Sequence, residues 1–365
     1  MNGRRSKLKV LAFYLPQFHP IPENNNWWGN GFTEWTNVGK AKKYYRNHYQ
    51  PRVPEELGYY DLRVEETRLH QAELAKIHGI EGFCYWHYWF GNGKRLLERP
   101  LKEVLESKQP DFPFCCAWAN ESWKGFPHGL SDERNVLIEQ TYPGEKDYEE
   151  HFYELLPYFL DKRYVKINGK VVFFIYKPFQ IPDISSFFKQ WKLLASNNGI
   201  NDIAFIANCN DVGEYDSLVK LGFDYVNLNR LFDYRKSLNF SQKVIIKFKN
   251  LFLGLPNVFS YEKALPYFTG IEDKYDNVFP TIIPGWDHTP RSGKNGFVYD
   301  NSTPELFKTH IYEVFDKLKE KREGENIVFL KSWNEWAEGN YVEPDLKWGR
   351  AYLRVIKEAI DFFNK

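Results

Sequence analysis

Hydrophobic positions along this chain come in two rhythms. Short apolar runs rich in β-branched and aromatic residues recur, and segments with apolar residues three or four apart follow them, the alternation of parallel strands and crossover helices. Eight such runs stand out: Lys9 to Leu15, Gly82 to Tyr88, Pro113 to Trp118, Val171 to Tyr176, Ile203 to Ala207, Tyr225 to Leu228, Val278 to Pro284 and Ile327 to Ser332. Helical periodicity marks Val64 to His78, Pro100 to Lys108, Tyr148 to Leu160, Ile184 to Asn197, Glu214 to Leu221, Pro304 to Arg322 and Gly349 to Phe363. Eight strands with a closing helix after the last predict an α/β chain folded as a single (β/α)8 TIM barrel. The 365 residues are then one barrel domain, with an insertion at about 231–260 between the sixth and seventh strands and long loops at the C-terminal face. A doubly wound sheet would also alternate, but neither GxGxxG nor GxxxxGK[ST] occurs.

Composition narrows the function. Lys and Arg number 49 against 48 Asp and Glu, so no global field draws in a polyanion, and nucleic acid is not an expected partner. Aromatic residues make up 18% of the chain, more flat rings than a core requires, which suggests stacking on a ligand. Cys84, Cys115, Cys116 and Cys209 lie inside apolar runs without zinc-site spacing and read as buried thiols; no metal is expected. Met1 to Lys9 is basic, but the apolar run after it is too short for a signal peptide, so the expected location is cytoplasmic, peripheral to the inner membrane if membrane-associated at all.

In a (β/α)8 barrel the chemistry sits where strands end. The first exit carries Trp27, Trp28, Glu34 and Trp35, rings beside a carboxylate. That pairing suits a sugar, whose C–H faces stack on indole and whose hydroxyls bind carboxylates and amides. A loop folded on its own Trp cluster would look the same. The second exit offers Tyr85, His87 and Tyr88, although only alternate residues of a strand can face inward and a lone His is commonly structural. The third brings Trp118, Asn120 and Glu121, the fourth Tyr176, the fifth Asn208. The seventh brings Trp286, Asp287 and Arg291, where the acid and the base are close enough to pair with each other. The eighth is sharpest: Trp333, Asn334, Glu335, Trp336 and Glu338 follow an apolar strand. Two carboxylates three residues apart converge if the chain turns between them, and paired carboxylates in an aromatic-lined mouth are the equipment of glycosidic bond cleavage.

The segments WWGNGFTEW, FCYWHYWF, WANESW, PGWDHTPR and WNEWAEG together resemble the glycoside hydrolase family 99-like group, which includes the WbsX proteins named as glycosyltransferases of surface-polysaccharide loci. The resemblance runs from Trp27 to Gly339. It implies a (β/α)8 enzyme related to endo-α-mannosidases that retains anomeric configuration without a protein nucleophile. Glu335 would take the proton of the sugar 2-hydroxyl as that oxygen closes on its own anomeric carbon, and Glu338 would protonate the leaving oxygen. No metal or organic cofactor is implied, and the partner is an oligo- or polysaccharide, lipid-linked in one version. Ala337 stands where the hydrolases commonly have His, as in the WbsX-type branch, and His288 where Asn is frequent. Three readings stay open: a retaining glycosidase, a glycosyltransferase of lipopolysaccharide or capsule assembly, and a sugar-binding barrel without turnover. No DxD pair is present to hold a metal–nucleotide diphosphate. Finally, Leu231 to Phe259 interleaves Arg235, Lys236, Lys243, Lys247 and Lys249 with apolar residues. It predicts either an insertion packed on the barrel with lysines outward, the favoured form, or a helix resting on an anionic membrane.

Overall fold

A computed structural model describes residues 7–125, 136–321 and 326–365. Most of the basic stretch at the N-terminus, Met1 to Ser6, and Arg322 at the end of one expected helix lie outside the described residues. The eight apolar runs form eight strands: β1 (Lys9–Tyr14), β2 (Ile80–Trp89), β3 (Phe114–Trp118), β4 (Lys170–Ile175), β5 (Ile203–Cys209), β6 (Tyr225–Leu228), β7 (Val278–Ile282) and β8 (Ile327–Leu330). Each pairs in parallel with its neighbour, and β1 pairs with both β2 and β8, so the ring closes into a (β/α)8 barrel.

Rings fill the barrel. Phe13 of β1, Phe174 of β4 and Phe329 of β8 meet with centroids 4.9, 5.0 and 5.6 Å apart. Strands β1 and β4 are not neighbours, so this contact crosses the interior and forms its floor. Trp86 of β2 stacks on Phe13 at 4.8 Å.

Helices α3 (Glu65–Ile77), α4 (Arg99–Ser107), α5 (Glu145–Phe159), α6 (Ile184–Asn197), α7 (Tyr215–Lys220), α12 (Pro304–Leu318) and α13 (Ala351–Phe363) match the expected segments to within three residues at their N-termini and four at their C-termini. The first exit is not a bare loop. Pro22 sits at an N-terminal position of α1 (Pro22–Trp28), and Thr33 caps α2 (Glu34–Lys40) in a reciprocal capping box with Thr36. That cap puts Glu34 on the first turn of α2, where the helix dipole favours an acid.

Between β6 and β7 lie α8 (Asp233–Ser237), α9 (Phe240–Leu253) and α10 (Tyr261–Ala264). The segment Asn257–Ser260 pairs with Phe297–Asp300, which pairs with Trp286–Asp287, so this region shares a small sheet with the loop that leaves β7. A second apolar core, including Leu231, Phe259, Tyr261, Phe268, Trp286 and Phe297, lies under that sheet. The insertion was expected to pack on the barrel with lysines outward: in α9 Lys243, Lys247 and Lys249 are exposed and Ile246 packs on the second core, but no residue is fully buried.

Candidate active site

Beyond the aromatic floor the barrel opens into a cavity of about 350 Å³. Trp28, Trp86, Tyr88, Trp123, Tyr176 and Trp286 wall it, and Glu34, Glu121, Lys124, His288, Arg291, Lys331, Glu335 and Glu338 are among its charged and titratable groups.

Its centre is Arg291, on the short helix α11 (Thr289–Ser292). Its guanidinium donates to Glu34 Oε2 at 3.2 Å through Nε, to Glu335 Oε2 at 3.0 Å through Nη2 and to Glu338 Oε1 at 2.5 Å through Nη1. The chain turns between the two C-terminal acids as it must for them to meet: Glu335 ends a two-residue strand and Trp336–Glu338 is a single 3-10 turn. Gly339 ends that turn at φ 57°, and a Cβ there would lie 2.7 Å from Asp287 Cβ, so both the conformation and the space call for glycine.

A single guanidinium bonded to three carboxylates, with Lys331 nearby, leaves negative charge crowded in a poorly solvated place. Burial foremost, then the charge of Glu338, pushes the Glu335 carboxyl up to about 8, against the opposing pull of Arg291. Burial also raises Glu34, with Arg291 again opposing. Burial lowers the Lys331 ammonium, while Glu338 and Glu335 hold it up. Among the described residues no group of three or more His, Cys, Asp or Glu is arranged to hold a metal ion.

Of the residues expected from the sequence, Trp28, Glu34, Tyr88, Glu121, Tyr176, Trp286, Arg291, Glu335 and Glu338 line the cavity. The others face elsewhere. Tyr85 and His87 share one face of β2, opposite to Trp86 and Tyr88. Tyr85 packs on Tyr14 at 4.4 Å, and His87 Nε2 lies 2.9 Å from His151 Nε2 of α5, where burial keeps it neutral with a pKa of about 3. Trp118 likewise turns to the helices, against His151 and Phe187. Asn120 braces the fourth exit, donating to the Lys177 carbonyl at 2.9 Å and accepting its N–H at 2.7 Å. Asn208 donates to the Tyr176 carbonyl at 3.3 Å.

Trp27 meets Trp123 edge-on at 6.0 Å, and Trp35 donates its indole N–H to the Tyr60 carbonyl at 2.7 Å. Asn334 ties the first exit to the eighth, accepting from Leu15 N at 2.8 Å and donating to Leu15 O at 3.1 Å. Asp287 does not pair with Arg291. It accepts from Gln50 at 2.7 Å and from the Thr289 hydroxyl at 2.6 Å, and meets His48 at 2.8 Å. Burial alone would raise its carboxyl, but these bonds and the charge of Arg52 hold it at about 2.

Trp333 and Trp336 are also structural, and the reason is a residue the sequence did not single out. Glu343 accepts both indole N–H groups, at 2.7 and 2.6 Å, with Gln71 at 2.6 Å and Tyr60 at 2.9 Å. Burial raises its carboxyl to about 7 against those four donors. Also unforeseen in the cavity are Asn24, Lys124, Asn229 and Lys331. Lys331 had a signal: it follows Phe329 by two along β8 and so shares its inward face.

Among solved structures, a glycoside hydrolase family 99 endo-alpha-mannosidase from Bacteroides thetaiotaomicron matches with a TM-score of 0.58 at 15% identity, over 97% of each chain. A structure described as a glycoside hydrolase-like protein matches at 0.61 and 16%, over 98% of this chain and 95% of the other. At those identities the likeness is one of fold. Two proteins from Xanthomonas campestris pv. campestris, strains B100 and ATCC 33913, both called uncharacterized protein WxcX, are 32% identical over 96% of this chain. The chain spans about half the length of these curated relatives, 49% of each. The sequence profile described as Glycosyltransferase WbsX matches residues 10–356, from the first strand into the last helix, and the chain therefore belongs to the WbsX family.

Proposed function

We propose that this chain, acting as one barrel domain, works at a glycosidic bond of an oligo- or polysaccharide. The observation that carries the reading is the convergence of Glu34, Glu335 and Glu338 on Arg291 inside a ring-walled cavity. Ring faces offer stacking to sugar C–H surfaces, and the polar groups between them offer hydrogen bonds to hydroxyls. Two such groups wait without a partner among the described residues: the Asn24 side-chain amide and the Trp286 indole N–H. Buried polar groups in that condition favour a ligand that can satisfy them.

The chemistry we assign is retaining and assisted by the sugar itself. Glu335 accepts the 2-hydroxyl proton as O2 bonds to the anomeric carbon, the bond to the leaving oxygen breaks, and Glu338 gives that oxygen its proton. Glu338 then takes a proton from the acceptor that opens the 1,2-anhydro ring, and Glu335 returns one to O2. Water as acceptor gives hydrolysis, and a sugar hydroxyl gives transfer. Free of substrate, burial and the charge of Glu338 hold a proton on Glu335 below about pH 8, and the first step requires that this proton has left Glu335. Arg291, bonded to all three carboxylates, is a positioning residue.

The family description favours a second reading, transfer from a nucleotide-activated sugar. Screening a glycan panel with and without nucleotide sugars, and reading the product anomer by NMR, separates the two. A retained anomer from a glycan alone supports our reading, and product only with a nucleotide sugar supports the second. Saturable glycan binding without product under either condition refutes both and leaves a sugar-binding barrel. Glu335→Gln and Glu338→Gln should each lower turnover by about 10² to 10⁴ or more, and near-wild-type rates would refute the assignment.

A further inference from the structure

Helix α9 turns its apolar side away from the protein. Phe240 is 83%, Phe248 55%, Leu251 64% and Phe252 67% exposed. Two residues hold it to the body: Ile246, packed on the second core, and Asn250, which donates to the Lys294 carbonyl at 2.5 Å. At about 100° per residue, Phe240, Val244, Phe248, Leu251 and Phe252 fall on the arc opposite Ile246 and Asn250. Lys243 and Lys247 lie along one edge of that arc and Lys249 along the other, and the helix contains no acidic residue. An Asn239–Gln242 capping box and a left-handed Gly254 fix its two ends, so the surface is preformed.

We propose that α9 is an interfacial helix that docks this chain on a bilayer surface bearing anionic headgroups. Among the described residues no helix is long and apolar enough to cross a membrane, so the contact is one of lying on the surface. The charge pattern selects this occupant. Lysines border the apolar face on both sides, where their stems can follow the acyl boundary while the ammonium groups reach headgroup phosphates. A second copy of the chain would set lysines against lysines across the same face, since α9 has no acid to answer them.

The docked helix adjoins the proposed active site. Lys294, to which Asn250 is bonded, lies three residues after Arg291, and Leu231 and Phe232, just ahead of α8, line the cavity. Docking would therefore bring the barrel mouth to the headgroup layer, where a lipid-linked glycan presents its sugars. Only this last step rests on the glycosidic reading.

The test is co-sedimentation of the full chain with vesicles of phosphatidylcholine alone and of phosphatidylcholine with 30% phosphatidylglycerol, at low and high salt. Binding is expected to the anionic vesicles and to weaken with salt. It should fall by about fivefold for each of Lys243, Lys247 and Lys249 changed to Gln. The double variant Phe248→Ser, Phe252→Ser should also lose binding while keeping its circular dichroism. Three results would each overturn the proposal: no binding to anionic vesicles at low salt, binding indifferent to both sets of changes, or sedimentation velocity showing a dimer that the Phe variant dissolves. Because no sugar enters the assay, its failure would leave the roles of Glu335 and Glu338 standing, and theirs would leave the docking standing.

Discussion

Glu335→Gln should make the protein more stable at pH 8 while removing its turnover. Burial and the charge of Glu338 push the Glu335 carboxyl from its ordinary 4.5 to about 8. Between those values the folded chain keeps a proton that the unfolded chain has released, so stability falls as pH rises, by about 1.4 kcal/mol per pH unit. Across the whole window the loss is on the order of 5 kcal/mol. Glutamine is nearly isosteric with the protonated acid and does not titrate. At pH 5 the variant should match the wild type to within about 1 kcal/mol, since Arg291 still finds an oxygen 3.0 Å away. At pH 8 it should lead by several kcal/mol, or roughly 5 °C in Tm for a chain of this length. Urea unfolding of both proteins at the two pH values measures the difference, and the comparison cancels every other group that titrates alike in both. A stability gap that is the same at pH 5 and pH 8 would refute the raised carboxyl and with it the proton held on Glu335.

The same proton sets the acid limb of activity: kcat/KM should rise toward about pH 8, as Glu335 loses the proton that must leave it before the first step, and a flat profile from pH 5 to pH 8 would contradict this. Arg291→Met strands three carboxylates without the guanidinium that bonds them and should destabilise the fold by roughly 3–5 kcal/mol at pH 8, less at pH 5 where Glu34 and Glu335, both raised by burial, take up protons, as read by urea unfolding. Glu343→Ala releases two indoles, an amide and a tyrosine hydroxyl from their common acceptor, with an expected loss of about 3 kcal/mol or more in the same assay.

The strands were legible because each is a short apolar run, and the barrel because there are eight of them. The orientation of individual side chains was harder to read. A barrel strand is buried on both faces, toward the floor and toward the helices, so hydrophobicity does not alternate along it. In β2, Trp86 and Tyr88 reach the cavity while Tyr85 and His87 meet the helical layer, yet all four are aromatic and nothing in the run marks which parity is inner. Trp118 was misplaced for the same reason. Glu335 and Glu338 were legible because acids in apolar surroundings call for an explanation. Arg291 was legible as a residue but not as a partner, since its three acids lie 44, 47 and 257 positions away in the chain.

Burial alone does not separate the acids we propose as reactive from the others, because Asp287 and Glu343 are at least as buried as Glu335. Bond saturation separates them. An ionised carboxylate offers about four acceptor sites. Glu343 fills four with two indoles, an amide and a phenol, and Asp287 fills its own with His48, Gln50 and the Thr289 hydroxyl and backbone N–H. Neither can accept from a ligand without first breaking a bond that holds two loops together. The Glu335 carboxylate accepts one hydrogen bond among the described residues, from Arg291, and that of Glu338 accepts one from the same guanidinium, with His288 at 3.6 Å. Both acids line the cavity, with acceptor positions left over beside the one guanidinium that bonds them. That contrast is the ground on which we propose Glu335, buried, raised in pKa and short of donors, as the acid that meets substrate, and read the saturated Glu343 and Asp287 as rivets.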